Sequence, residues 1–174
     1  LNWFKFAWAL RGLKNSSLQK PDVILYSSPS PIGSLAAQYL AQSFKVPFIF
    51  EVRDIWPLTL IELGGHSANH PFIRVMQWIE DRSYQKAKFV FSNLFNAVEH
   101  MQNRGLDEDK FHWIPNGVSL AEVSAKESLS VDIFKQFPRD KFIVGYTGTI
   151  GVANAIDDLI EAAQLVSHHP DIHF

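Results

Sequence analysis

The chain has 174 residues, 47% of them hydrophobic and 20% charged, enough apolar material for a buried core and too much for a disordered segment. A net charge of −2 argues against a general nucleic-acid binder, which would carry a basic face. The absence of cysteine excludes disulfides, thiolate metal sites and a cysteine nucleophile, and no run approaches the about 18 apolar residues of a membrane span.

In chain order, residues 1–13 predict a helix carrying Trp3, Phe4, Phe6 and Trp8, with Phe4 and Trp8 on one face. It reads as a helix packed on a sheet, with a lipid-interface helix as the sharper alternative, since Lys5, Arg11 and Lys14 supply a weak cationic face. A strand is expected over 23–26, followed by the loop Ser-Ser-Pro-Ser-Pro at 27–31 and a helix from Gly33 to about Phe44. The serines of that loop, Ser28 among them, either bond a ligand or cap the helix. Phe48, Ile49, Phe50 and Val52 form a second strand, so the order strand, helix, strand implies a parallel βαβ unit.

Arg53 and Asp54 arrive at the carboxyl end of that second strand, with Trp56 and Pro57 behind them. Ligands of open α/β sheets bind outside the carboxyl ends of the strands. These residues therefore stand at a candidate site, against the plainer reading of an ion pair and a turn tryptophan. Leu58, Leu60, Ile61 and Leu63 follow, too apolar for an ordinary loop.

Pro71 opens a helix to about Lys86, residues 88–92 form a third strand, Ser92 or Asn93 caps a helix ended by Gly105, and 111–114 form a fourth strand closed by Pro115, Asn116 and Gly117. Residues 119–140 read as a linker with a short helix near 131–137. Residues 142–146 begin a new strand, the turn Thr147-Gly148-Thr149-Ile150-Gly151 leads to a helix capped by Asn154, and a further strand starts at Ile172. The predicted division is 1–118, 119–140 and 141–174. The glycine turn fits a diphosphate, because backbone N–H groups can approach an anion there, although it lacks the full dinucleotide fingerprint. Asp107-Glu108-Asp109 lies at the opposite sheet edge and reads as a solvated charge run; His66 and His70 lack a third ligand, so no metal site is expected.

The ordered set F-E-V-R-D-I-W-P, I-P-N-G-V and V-G-Y-T-G-T-I-G resembles the retaining GT-B glycosyltransferases of family 4, in particular the bacterial branch that builds O-antigen or capsule, including L-fucosamine transferases. The resemblance implies an α/β, Rossmann-like parallel sheet with helices on both faces. Residues 1–118 would then be part of the acceptor-side domain and 141–174 the start of the nucleotide-sugar domain. It implies a piece of a longer protein, inactive by itself, whose glycine-rich loop would precede Leu1 and whose paired glutamates would follow Phe174.

The resemblance places Arg53 and Asp54 at catalytic positions, where the family often has His-Asp. Arg53 cannot act as a base but can hold a phosphate or carboxylate. Ser28, Trp56, Asn116, Gly117, Gly148, Thr149 and Gly151 are the candidate substrate-binding residues. A nucleotide-sugar donor and a lipid-linked or saccharide acceptor are the implied partners, with no cofactor or metal. A cytoplasmic location with peripheral membrane contact, and a homodimer or exchanged tail, fit this reading. The rivals are a non-catalytic α/β binding or regulatory module and, less well, an NAD-dependent epimerase.

Overall fold

The structure is a computed structural model that describes residues 2–15, 19–28, 30–125, 128 and 130–174. Leu1 of the expected first helix, Pro29 of the Ser-Pro loop, and residues 126, 127 and 129 of the expected linker lie outside these. The chain forms two compact units, Leu1–Gly117 and Val118–Phe174.

The first unit runs α1 (Asn2–Arg11), β1 (Ile24–Ser27), α2 (Ile32–Phe44), β2 (Phe48–Val52), α3 (Leu58–Glu62), α4 (Pro71–Lys86), β3 (Phe89–Ser92), α5 (Val98–Asn103) and β4 (Phe111–Trp113). The strands form one parallel sheet in the order β1-β2-β3-β4, flanked by helices, as the sequence pattern predicts. Period-2 alternation sends Phe48, Phe50 and Val52 to the core, all within 5% exposure, while Ile49 and Glu51 on the other face remain half-buried. Ala37 and Ala41 of α2, Tyr84 of α4 and Met101 of α5 pack against that core face, so the three crossover helices share it. A strand order that advances in one direction, with right-handed crossovers, gives this placement.

Local chemistry fixes the element ends. Lys45 adopts a left-handed conformation (φ 56°) and closes α2, with Val46 N–H donating to the Ala41 carbonyl at 2.9 Å. Pro71 is the first residue of α4, and His70 Nδ1 accepts from Phe72 N–H at 3.2 Å. Gly33 is required by a close approach: an added Cβ would stand 2.4 Å from the Tyr26 hydroxyl oxygen and 2.5 Å from its ring. Two expectations shift. The helix expected from 93 begins at Val98 after a 3-10 turn at Phe95–Ala97, and Ser92, whose hydroxyl donates to the Val52 carbonyl and accepts from Leu94 N–H, does not cap it. The third and fourth strands are each one residue shorter than predicted.

A polar seam crosses the helix layer. Glu80 is 2% exposed, and its Oε1 accepts from the Tyr84 hydroxyl at 2.7 Å. Arg104 Nε and Nη2 donate to the two oxygens of Asp81 at 2.9 and 2.7 Å. Ser34 and Ser83 hydroxyls join α2 to α4 at 2.7 Å.

The second unit contains α6 (Leu120–Ser124), α7 (Val131–Phe134), β5 (Phe142–Ile143), α8 (Ile156–Leu165) and β6 (Ile172–His173), with β5 and β6 parallel. The linker expectation is corrected: residues 119–140 hold two one-turn helices, not one. Ser119 and Ser130 hydroxyls accept from Glu122 and Ile133 N–H, and the Ser119…Glu122 spacing is a capping-box signal. β5 spans two residues, not five. Asn154 does not cap α8; its amide donates to the Thr149 carbonyl at 2.7 Å, and Ala155, at φ 49°, holds the cap position. None of the described residues of this unit is buried.

Two stability predictions follow from this packing. Phe50→Ala should cost about 3–5 kcal/mol, read by chemical denaturation, because it empties a site 2% exposed in the central strand. Burial, then the neighbouring Glu80 charge, push the Tyr84 phenol well above its ordinary value of 10.0. A raised folded pKa means full stabilisation below about pH 10 and loss as pH rises further, since the unfolded phenol ionises first. Tyr84→Phe should therefore flatten the fall of unfolding free energy above pH 10.

Candidate active site

The carboxyl end of β2 is held from both sides by buried serines. On the β1 side, Ser28, 3% exposed, receives the Arg53 N–H on its Oγ at 3.0 Å, and its own N–H donates to the Glu51 carbonyl at 2.9 Å. On the β3 side, Ser92, 1% exposed, donates its hydroxyl to the Val52 carbonyl at 2.8 Å and accepts from Leu94 N–H at 3.0 Å. These bonds satisfy backbone groups where the ladder ends and the chain turns away.

Ser28 thus lies beneath Arg53, with its oxygen committed to the backbone. Tyr26 supports the same loop: its hydroxyl donates to the Ser30 carbonyl at 2.8 Å, and burial raises its pKa above the ordinary value, opposed by a hydrogen bond from the Gly33 backbone.

Arg53 is exposed, and its guanidinium makes no ion pair among the described residues. The expected Arg53–Asp54 pair is therefore not formed, for a local reason. Asp54 Oδ1 lies 3.0 Å from Thr59 Oγ1, and Asp54 Oδ2 accepts from Trp56 Nε1 at 3.4 Å. The Thr59 hydroxyl also lies 2.8 Å from the Ile55 carbonyl, so its one hydrogen is shared between two acceptors. The side chains of 53 and 54 are thereby separated into a free cation and a carboxylate fixed by its own loop.

Trp56 is half-buried and precedes Pro57 through a cis peptide bond. Its ring meets Trp3 of α1 edge to face, with centroids 5.1 Å apart and planes at 83°, and packs on the cluster of Ile32, Met76 and Ile79. Leu58, Leu60 and Ile61 fold into the single turn of α3 and are half-buried, while Leu63 is 51% exposed. The apolar segment is thus divided between packing and solvent.

Asn116 and Gly117 follow β4 at the same sheet edge, two strands from Arg53, and are exposed. Gly148, Thr149 and Gly151 lie in the turn between β5 and α8 of the second unit. Tyr146 folds over that turn: its hydroxyl donates to the Thr149 carbonyl at 2.9 Å, and a Cβ on Gly148 would stand 2.6 Å from the Tyr146 hydroxyl oxygen. Gly151 is extended and unobstructed. The first turn of α8 carries Asp157 and Asp158, which share its positive end with any incoming anion.

Thr59, Ser92 and Trp3 were not candidates from sequence. Ser92 was legible only as a helix cap. The five-residue spacing of Asp54 and Thr59 would have suggested a contact only once a helical turn had been assigned after Pro57.

Residues 1–117 match the family model of the glycosyl transferase 4-like domain, and the chain belongs to this family. Among solved structures it is similar to that of HepE from Anabaena, determined in complex with UDP-glucose. That likeness has 14% identity and a TM-score of 0.46, covering 97% of this chain and 50% of the other. The chain thus spans about half the length of HepE. No curated protein matches it.

The serine clamp is open to a direct test. Ser28→Ala should cost about 1–3 kcal/mol in urea unfolding by leaving the Arg53 N–H without its acceptor. Ser28→Thr, which keeps the oxygen, should recover part of that loss if the extra methyl fits.

Proposed function

We propose that the protein is a retaining glycosyltransferase that moves a sugar from a nucleotide-sugar donor to a lipid-linked or saccharide acceptor in bacterial cell-surface polysaccharide synthesis, of the O-antigen or capsule type. The observation that carries the reading is the membership of residues 1–117 in the glycosyl transferase 4-like family, the span that contains the free Arg53 guanidinium at the carboxyl edge of the sheet.

In this reading Arg53 holds the acceptor's phosphate or carboxylate bidentately. Asp54, fixed by Trp56 and Thr59, accepts from a sugar hydroxyl. Leu58, Leu60, Ile61 and Leu63 form the apolar mouth that meets the acceptor's lipid, and Asn116 and Gly117 border it. Gly148, Thr149 and Gly151 receive the donor diphosphate. The departing phosphate and the dipoles around it stabilise the cation-like transition state, so the reaction uses no resident cofactor or metal. Residues 1–118 are the acceptor side, 119–140 the linker and 141–174 the beginning of the donor side. The enzyme works on the cytoplasmic side of a membrane as a peripheral protein, and its tail is a candidate for pairing or exchange between copies.

The test is kinetic and uses the full-length enzyme with a panel of nucleotide-sugars and lipid-linked acceptors. Arg53→Ala should leave the melting temperature within a few degrees and lower kcat/KM about 100-fold, equivalent to about 2.7 kcal/mol of transition-state interaction. Asp54→Asn should lower both stability and rate, because it weakens the bonds to Thr59 and Trp56 as well as any bond to substrate. Normal kcat/KM in folded Arg53→Ala would remove Arg53 from the site. Binding of nucleotide-sugar without transfer to any acceptor would favour the non-catalytic module. Residues 1–174 alone are expected to give no turnover.

A further inference from the structure

Cations and aromatic rings gather on one face of the first unit. The first 50 residues carry five Lys or Arg and a single acid, Asp22, in a chain whose net charge is −2. In the fold, Arg11 and Lys14 lie beside Tyr39 of α2, with the Arg11 guanidinium 4.6 Å and the Lys14 ammonium 5.6 Å from the ring centroid. A hydrogen bond with Ser43 and the charge of Lys14 lower the pKa of the Tyr39 phenol. Arg82 and Lys86 extend the set along α4, and Lys88 continues it in the residue before β3. All five cations are exposed, and none makes an ion pair among the described residues.

These charges border two adjoining cavities. One, of about 430 Å³, has Phe4, Trp8, Ile32 and Leu35 among its walls and reaches Arg11 and Arg82. The other, of about 400 Å³, is bordered by Arg82, Lys86 and Lys88. They share Gln38, Gln42 and Arg82, so a groove apolar at one end becomes cationic at the other. At its rim Phe4 is 54% and Trp8 76% exposed. Such rings cost little at a lipid headgroup boundary, where their apolar bodies leave water and their edges stay wet.

We propose that this face, formed by α1, the outer side of α2 and the C-terminal half of α4, docks on an anionic lipid bilayer. The proposal deepens the peripheral membrane contact suggested above and assigns it to residues. Charge selects the occupant. A second copy placed on this face by a two-fold axis would set its unpaired cations against their own counterparts. A small free anion would neutralise the cations and leave Phe4 and Trp8 in water. A bilayer with anionic headgroups satisfies both ends: the aromatic rim enters the headgroup layer and the cations meet lipid phosphates, their alkyl stems lying along apolar surface.

The experiment is co-sedimentation of the full-length protein with vesicles of phosphatidylcholine alone or mixed with phosphatidylglycerol, with no sugar substrate present, so that its outcome is independent of transfer activity. The protein should pellet with the mixed vesicles, stay in solution with the neutral ones, and be released at high salt. Arg82→Gln with Lys86→Gln should lower the partition coefficient about 30-fold, at about fivefold for each cation removed from the surface. Trp8→Ser should weaken binding at constant charge. Both variants change exposed side chains, so their circular dichroism should match the parent.

Equal pelleting on both vesicle types, no pelleting at all, or charge and Trp8 variants that bind like the parent would overturn the proposal. So would release by inorganic phosphate at matched ionic strength, which would make the face a site for a free anion. A dimer in light scattering that Trp8→Ser converts to monomer would give the face to a second copy instead.

Discussion

Two buried hydroxyls govern the geometry of the candidate site. A parallel strand that ends at a turn leaves backbone groups without ladder partners, and inside a core such groups are costly. Ser28 and Ser92 answer this at the end of β2, one accepting from Arg53 N–H and the other donating to the Val52 carbonyl. The chain can therefore leave the sheet abruptly, with Arg53 projecting outward and Asp54 turned into its own loop. Larger apolar side chains at 28 and 92 would fill the space but leave those backbone groups unmet.

Much of the architecture was legible in the sequence because hydrophobic period reports which face is buried. Phe48, Phe50 and Val52 alternate, and Ile73, Met76 and Ile79 recur at helical spacing; both sets are in the core. The ligand-edge position of Arg53 followed from strand order alone. What was not legible depends on where a side chain turns after the strand ends. Asp54 was expected beside Arg53, its neighbour in sequence, but its oxygens meet Thr59 and Trp56. Serine is ambiguous for the same reason: Ser28 was readable as a cap or a ligand contact and Ser92 only as a cap, and strand-end ties appear only when three strands are side by side.

The second unit shows how far short motifs carry. The glycine turn lies between a strand and a helix, as its spacing implies, yet its shape is set by Tyr146, whose ring leaves no room for a Cβ at residue 148. The helix behind it starts with two carboxylates, so the field at its N-terminus is partly spent before any diphosphate arrives. Sequence spacing located the turn; the side chains beside it determine how strongly it attracts an anion.

The edge-to-face contact between Trp3 and Trp56 joins two parts of the molecule that sequence separates by more than fifty residues. Trp56 also donates to Asp54, so the position of α1 and the orientation of the Asp54 carboxylate are read by the same indole. Thermodynamic linkage makes such a connection reciprocal. Whatever steadies α1 narrows the arrangements open to Asp54, and a ligand that favours one arrangement of Asp54 steadies α1 by the same free energy. The indole is thus a shared coordinate, through which events on the helical surface and at the sheet edge have unequal causes but equal coupling.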